Sequence, residues 1–154
     1  MLRHIRQILP AALAGVIVTL SIFVVCLDKS SADREAHQRS LTITGLAGSV
    51  RSAAVLAHSI WLSDDSYSTV VNLGGEKIIE IDHLTGYPSA NTDGIRAVVP
   101  ATIGFSEAAN GTTFVFSLFE VPAVLCNVTY ATGVAAGEPP YVIVRNNNNG
   151  GDCG

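Results

Sequence analysis

The polar and apolar positions of this chain fall into three successive patterns. The stretch from Ile8 to Leu27 contains no charged residue. Coiled as a helix it is about 30 Å long, enough to cross the hydrocarbon core of a bilayer. Arg3 and Arg6 precede it, and Asp28 and Lys29 follow it. Cations before the span place the N-terminus in the cytoplasm and the rest of the chain outside it. Pro10 is tolerated if it lies in the first helical turn, where its missing donor is not needed. A cleaved secretory signal is the rival reading, with Ser30-Ser31-Ala32 as the cleavage site. The apolar run is longer than the roughly 7–15 residues such signals carry. A lipoprotein reading is weaker, because Val24 and Val25 before Cys26 are bulky where small residues are wanted.

The second pattern is amphipathic. Ser30 to Ser40 is polar and holds no proline or glycine. Then Ile43, Leu46, Ala47, Val50, Ala54, Ala57 and Trp61 recur at steps of three and four, which is one apolar face of a helix. The spacing predicts that the anchor continues as a single helix of roughly 80 Å to about Leu62. Its first half needs lipid or other helices around it, and its second half needs a sheet against one face. Ile43, Leu46, Val50 and Trp61 are the expected helix–sheet contacts, with Arg39 and Arg51 exposed. Gly45 and Gly48 each cost about 1 kcal/mol relative to alanine in a helix. They are either tolerated or present to admit another backbone closely.

The third pattern is that of short strands. Ser63-Asp64-Asp65-Ser66 ends the helix. Ser68–Leu73 and Glu76–Asp82 read as a hairpin closed by a two-residue turn at Gly74-Gly75. Gly86-Tyr87-Pro88 reads as a turn, and Ala90–Val98 as a short helix ended by Pro100. Thr113–Phe119 alternates, with Phe114, Phe116 and Leu118 on one face. Leu125–Tyr130 and Tyr141–Arg145 complete the strands, and Asn146–Gly151 is polar. The sum is an α+β fold: one long N-terminal helix packed on an antiparallel sheet of four or five strands.

Composition sharpens this picture in two places. The 154 residues leave room for one domain of about 125 residues beyond the anchor. Apolar residues make up 48% and the mean hydropathy is +0.38, an excess carried largely by the anchor. The net charge is −4 and no basic patch follows Arg51, so nucleic acid is not an expected partner. Of three cysteines, Cys26 lies in the apolar run, where it acts as a small hydrophobe. Cys126 and Cys153 lie in the exported part, where a disulfide is stable. Their pairing closes a loop over residues 126–153, stabilised by roughly 3–4 kcal/mol in the chain-entropy model.

The candidate chemistry is sparse. His4, His37, His58 and His83 are scattered and form no metal-binding pair at helical spacing. There is no Gly-x-Ser-x-Gly elbow and no phosphate loop. Asp64-Asp65 reads as a solvated pair, His58 as a surface or packed histidine, and Trp61 as core. Asn110-Gly-Thr and Asn127-Val-Thr match the glycosylation sequon, a pattern that arises easily by chance. No catalytic residue, metal or cofactor is expected, and no enzymatic activity.

Three stretches carry a resemblance. Ser30-Ser-Ala-Asp-Arg-Glu-Ala36, Gly45-Leu-Ala-Gly-Ser-Val-Arg-Ser-Ala-Ala-Val-Leu-Ala-His58 and Gly86-Tyr-Pro-Ser-Ala-Asn-Thr-Asp-Gly-Ile95 resemble the type IV pilins, within them the mannose-sensitive-haemagglutinin (MSHA) type. The resemblance covers residues 27–154, and the terminal cysteine pair sits where pilins close their disulfide-bounded loop. It implies a pilin-like fold with residues 1–29 as the transmembrane half of the long helix. Residues 30–154 form the extracytoplasmic domain, with the amphipathic half-helix at 30–62. Gln7, Pro10, Gly15, Leu20 and Phe23 are the anchor and assembly positions it implies; Gly86, Tyr87 and Pro88 form its turn motif.

At the N-terminus the chain departs from the pattern. Family members carry a basic leader, then a Gly-Phe pair at the mature start, then one glutamate in the apolar run. Here the mature start falls near Arg3 without that pair, and the glutamate's place falls at Gln7. The resemblance implies a structural filament subunit that serves adhesion, surface attachment or motility. Its partners would be other pilin subunits, alike or different, the inner membrane before assembly, and a surface ligand of unknown kind. The setting would be the Gram-negative inner membrane, crossed once, and then the extracellular pilus. The alternatives are a pseudopilin-like part of a type II secretion or DNA-uptake machine, and an anchored periplasmic binding module that does not polymerise.

Overall fold

The computed structural model describes residues 2–64, 68–75, 77–100, 102–119, 121, 126–146 and 153, and of these the side chains from residue 31 onward, Asn146 excepted. The chain is α+β. Helix α1 spans Leu2–Asp64, 63 residues without a break. At 1.5 Å per residue it is about 95 Å long. Its Ser31–Asp64 part is long and apolar enough to cross a membrane by length and composition, although a share of that part is buried inside the domain.

The apolar stripe becomes the packed face of α1. Ile43, Ala47, Val50 and Ala57 are wholly buried, and Ala36, Leu46, Ala53, Ala54 and Trp61 nearly so. The helix ends two residues beyond the expected Leu62, and Trp61 fixes its end by donating Nε1–H to the Ser68 carbonyl at 2.8 Å.

What covers this face is two sheets, not the single sheet of four or five strands that the alternation predicts. The first has the order β1-β2-β3, from Val70–Asn72, Ile78–Asp82 and Tyr87–Pro88. The second has the order β4-β5-β6-β7, from Phe105–Asn110, Thr113–Leu118, Cys126–Ala131 and Tyr141–Asn146. All described pairings are antiparallel.

Several boundaries move for local reasons. The first hairpin is closed by a longer connection than Gly74-Gly75 alone, because Asn72 already pairs with Ile78. Asn72 turns its Oδ1 onto the Gly74 N–H at 2.8 Å, and both glycines have positive φ, 105° and 65°. Tyr87 and Pro88, expected in a turn, pair with Asp82 and Ile81 as β3. The helix expected over Ala90–Val98 shrinks to α2, Ile95–Val98. Asn91 is the reason: its Oδ1 accepts the N–H groups of Asp93 at 3.0 Å and Gly94 at 2.6 Å, which holds the segment in a turn. Strand β4 has no alternation to announce it. Its Ser-Glu-Ala-Ala centre is strand because it pairs in register with β5 from Phe105↔Leu118 to Asn110↔Thr113.

The core lies between α1 and the two sheets. Phe114 and Phe116 of β5 stand beside Tyr130 and Val128 of β6, pair for pair, and all four are buried. Where the inward face meets the free edge at β4, Arg96 of α2 pairs with Glu107, Nε to Oε1 at 2.6 Å.

Candidate functional site

The described half of α1 has two unlike faces. The inner one holds Ile43, Leu46, Val50 and Trp61, all buried against the sheets. The outer one carries a second stripe. Leu41, Gly45, Gly48, Ser52, Val55, Ser59 and Leu62 follow one another at alternating steps of four and three, and every one is exposed. Leu41, Val55 and Leu62 are 59%, 60% and 57% exposed, high for apolar side chains on a helix that has a core to bury. Steps of four and three set side chains along a seam that a second helix can enter knobs-into-holes. Small residues in such a seam let two backbones approach closely.

Gly45 and Gly48 therefore do not admit a backbone from within the domain. A Cβ built on either meets nothing within 4 Å. They line an open groove of about 570 Å³, walled by Leu56, Leu73 and Val98.

The Gly86-Tyr87-Pro88 motif is pinned at each residue. Gly86 has φ +75°, and a Cβ there would lie 2.4 Å from the Trp61 ring, so only glycine fits. Its carbonyl meets His58 Nδ1 at 2.8 Å. Tyr87 stacks on the His58 ring, centroids 3.9 Å apart and planes 4° from parallel. The Pro88 carbonyl accepts the buried Tyr130 hydroxyl at 2.7 Å, which ties the two sheets together. Burial, aided by Asp82 and Tyr87 nearby, raises the Tyr130 pKa above its ordinary value and keeps the phenol protonated as a donor. The motif thus anchors the helix end to both sheets.

Cys126 and Cys153 are joined by a disulfide, with Cα atoms 5.7 Å apart and both residues fully buried. Arg39, expected to be exposed, is half-buried. It meets Glu35 at 3.3 Å and the Cys153 carbonyl at 3.4 Å. Arg51 is exposed and donates to the Val142 carbonyl at 2.9 Å. Inside the bridged loop, Glu138 accepts the N–H groups of Val134 and Ala135 and the hydroxyl of Tyr141. The Tyr141 hydrogen bond above all, then the two N–H groups, lower the Glu138 pKa.

Of the anchor positions, Gln7, Pro10, Gly15, Leu20 and Phe23 lie on α1, but their side chains and that of Cys26 fall outside the described ones. Asp65 and most of Asn146–Gly151 lie outside the described residues as well. Asp64 is exposed at the helix end. The two sequons part company: Asn110 is exposed beside the β4–β5 turn, whereas Asn127 is buried and accepts the Thr129 hydroxyl. Among the described residues no group of three or more His, Cys, Asp or Glu is placed to hold a metal ion.

The reading of the sequence missed the outer stripe, although the signal was there as a second repeat offset two residues from the first. It also missed the His58–Tyr87 stack and the Tyr130–Pro88 bond, which join residues 29 and 42 positions apart and leave no local trace. Comparison with family models, with curated proteins and with solved structures found no match to this chain.

Proposed function

We propose that this chain is a structural subunit that is held in a membrane by the first half of α1 and assembles side by side into a filament, in the manner of a type IV pilin of the MSHA type. Its work would be attachment or surface movement. The observation that carries the reading is the two-faced helix. A domain of about 90 residues is only some 25–30 Å across, so a helix of about 95 Å extends well past it. The inner stripe is spent on the sheets; the outer stripe offers an exposed seam of small and apolar residues to another helix.

The family resemblance supplies the kind of assembly. In that family a glutamate of the apolar run neutralises the terminal amine of a neighbour. Gln7 stands in its place here and offers only neutral hydrogen bonds, worth about 1 kcal/mol net. Assembly would therefore rest on helix packing, with Ala11, Ala12, Ala14 and Gly15 as small contact positions.

Cross-linking in the membrane tests this. In a Cys26→Ser background, Ser52→Cys should form disulfide-linked dimers, while Ala136→Cys on the bridged loop should not. Gly48→Leu should remove both dimers and sheared fibres and leave the domain folded. Fibres that persist with Gly48→Leu, together with a Ser52→Cys chain that stays monomeric, would overturn the proposal in favour of a lone anchored module. Gln7→Glu should raise fibre yield in a host with a working pilus machine.

A further inference from the structure

We infer that a cleft on the three-stranded sheet binds a small organic diamine. The cleft has a volume of about 550 Å³ and lies where β2 and the Ser89–Asn91 turn face the β4–β5 turn and the end of β6. Glu80 and Asp82 share one face of β2, since Ile79 and Ile81 between and beside them point into the core. Residues two apart on a strand lie about 7 Å apart along it.

Each carboxylate is held by one oxygen. Glu80 Oε2 accepts Asn91 Nδ2–H at 3.0 Å, and Asp82 Oδ1 accepts the Leu84 N–H at 2.9 Å. The second oxygen of each has no hydrogen-bond partner among the described residues.

Four residues that line the same cleft carry hydroxyls: Thr69, Ser89, Thr112 and Thr132. None has a partner among the described residues. Thr132 is the telling one. It is 92% buried, being 8% exposed, yet no enclosed side-chain polar atom of the described residues goes unpaired. Its oxygen is therefore open to solvent, and the residue lines the cleft.

The charge of the lining selects the ligand. Among the described residues no lysine or arginine lines the cleft, and His83 is its one further titratable group. An anion would meet two acids with no cation to offset them. A neutral polyol would desolvate both acids without neutralising either, which is unfavourable. A calcium ion needs six to eight oxygens converging at about 2.3–2.6 Å, and no cluster of three or more His, Cys, Asp or Glu is present among the described residues.

A diamine meets each requirement. Each ammonium brings three donors, and the cleft offers two free carboxylate oxygens and four hydroxyl oxygens to receive them. A short methylene chain between the ammonium groups spans about the strand spacing of the two acids and rests on Val70 and Ala90. This inference is independent of filament assembly.

The test is calorimetric titration of the full chain in phosphatidylcholine nanodiscs with putrescine, a four-carbon diamine. Butylamine and butanediol are the single-charge and uncharged probes, and a dilysine peptide and calcium are run beside them. Saturable one-to-one binding of putrescine is expected, about tenfold tighter than butylamine, with no heat from butanediol. Glu80→Gln and Asp82→Asn preserve the Asn91 and Leu84 bonds, and each should weaken putrescine about tenfold; Thr132→Val should weaken it about threefold. Circular dichroism of the variants should be unchanged. Absence of saturable binding would overturn the inference. So would equal affinity in the folded Glu80→Gln and Asp82→Asn variants, butanediol binding as well as putrescine, or tighter binding of calcium or of the dilysine peptide.

Discussion

The inner and outer faces of α1 share a helix and a repeat and differ in the size of what they carry. The inner stripe is built from isoleucine, leucine, valine, alanine and tryptophan, and it is sealed from water by two sheets. The outer stripe alternates leucine and valine with glycine and serine, and it lies open. Large side chains fill the space between a helix and a sheet. Small ones leave a furrow that suits a second helix at about 8–10 Å. Periodicity marks both faces, and burial tells which of them the domain itself covers.

Adjacent residues give the sharpest test. Trp61 and Leu62 are neighbours on opposite faces. Trp61→Ala should cost about 3–5 kcal/mol in denaturant unfolding, while Leu62→Ala, 57% exposed, should stay within about 0.5 kcal/mol. Equal costs would erase the distinction between the faces. Cys126→Ser removes the bridge beside the inner face and should cost roughly 3–4 kcal/mol by loop entropy; non-reducing peptide mapping of the native chain should find no free thiol at Cys126.

Gly86→Ala is expected to cost about 2–4 kcal/mol, from the left-handed backbone and from overpacking against Trp61. Tryptophan fluorescence should report the displaced ring. On the outer face the sign reverses. Gly48→Ala should stabilise the chain by about 1 kcal/mol, since nothing stands in the way of its Cβ, and a higher melting temperature would show it.

The smallest effect concerns Glu138, away from both faces. Its folded pKa is lowered, so its contribution is present above the ordinary carboxylate range and is lost as pH falls through the lowered value. Glu138→Gln should therefore lower the melting temperature slightly near neutral pH and not at pH low enough to protonate Glu138. A constant difference across that range would remove the carboxylate from the account.

Most of the helix was legible in the sequence because its signals are local. Ile43 to Trp61 repeat at helical spacing, and Gly86 sits at a turn that few other residues allow. The strands with alternation, β5 above all, were legible for the same reason. What could not be read was set by distant partners. β4 is a strand because β5 pairs with it, and β3 because Ile81 and Asp82 do. α2 is short because one asparagine side chain competes with helical hydrogen bonds. The division into two sheets leaves no local signature either, and neither does the cleft, whose residues come from five separate stretches of chain.

The Arg39 contact with the last cysteine has a mechanical meaning. Tension applied along α1 from its N-terminal side would enter the domain near Ala36 and Arg39; Ala36 is the first buried residue among the described ones of the helix, and Arg39 bonds to the Cys153 carbonyl. Cys153 is held there by Arg39, and the bridge passes the load to Cys126 on an inner strand of the four-stranded sheet. A pull along the rod loads the helix–sheet contact in shear, so the residues from Ala36 to Trp61 resist together instead of peeling one after another. The covalent bridge sits at the loaded end, which is where a cable under tension needs its clamp.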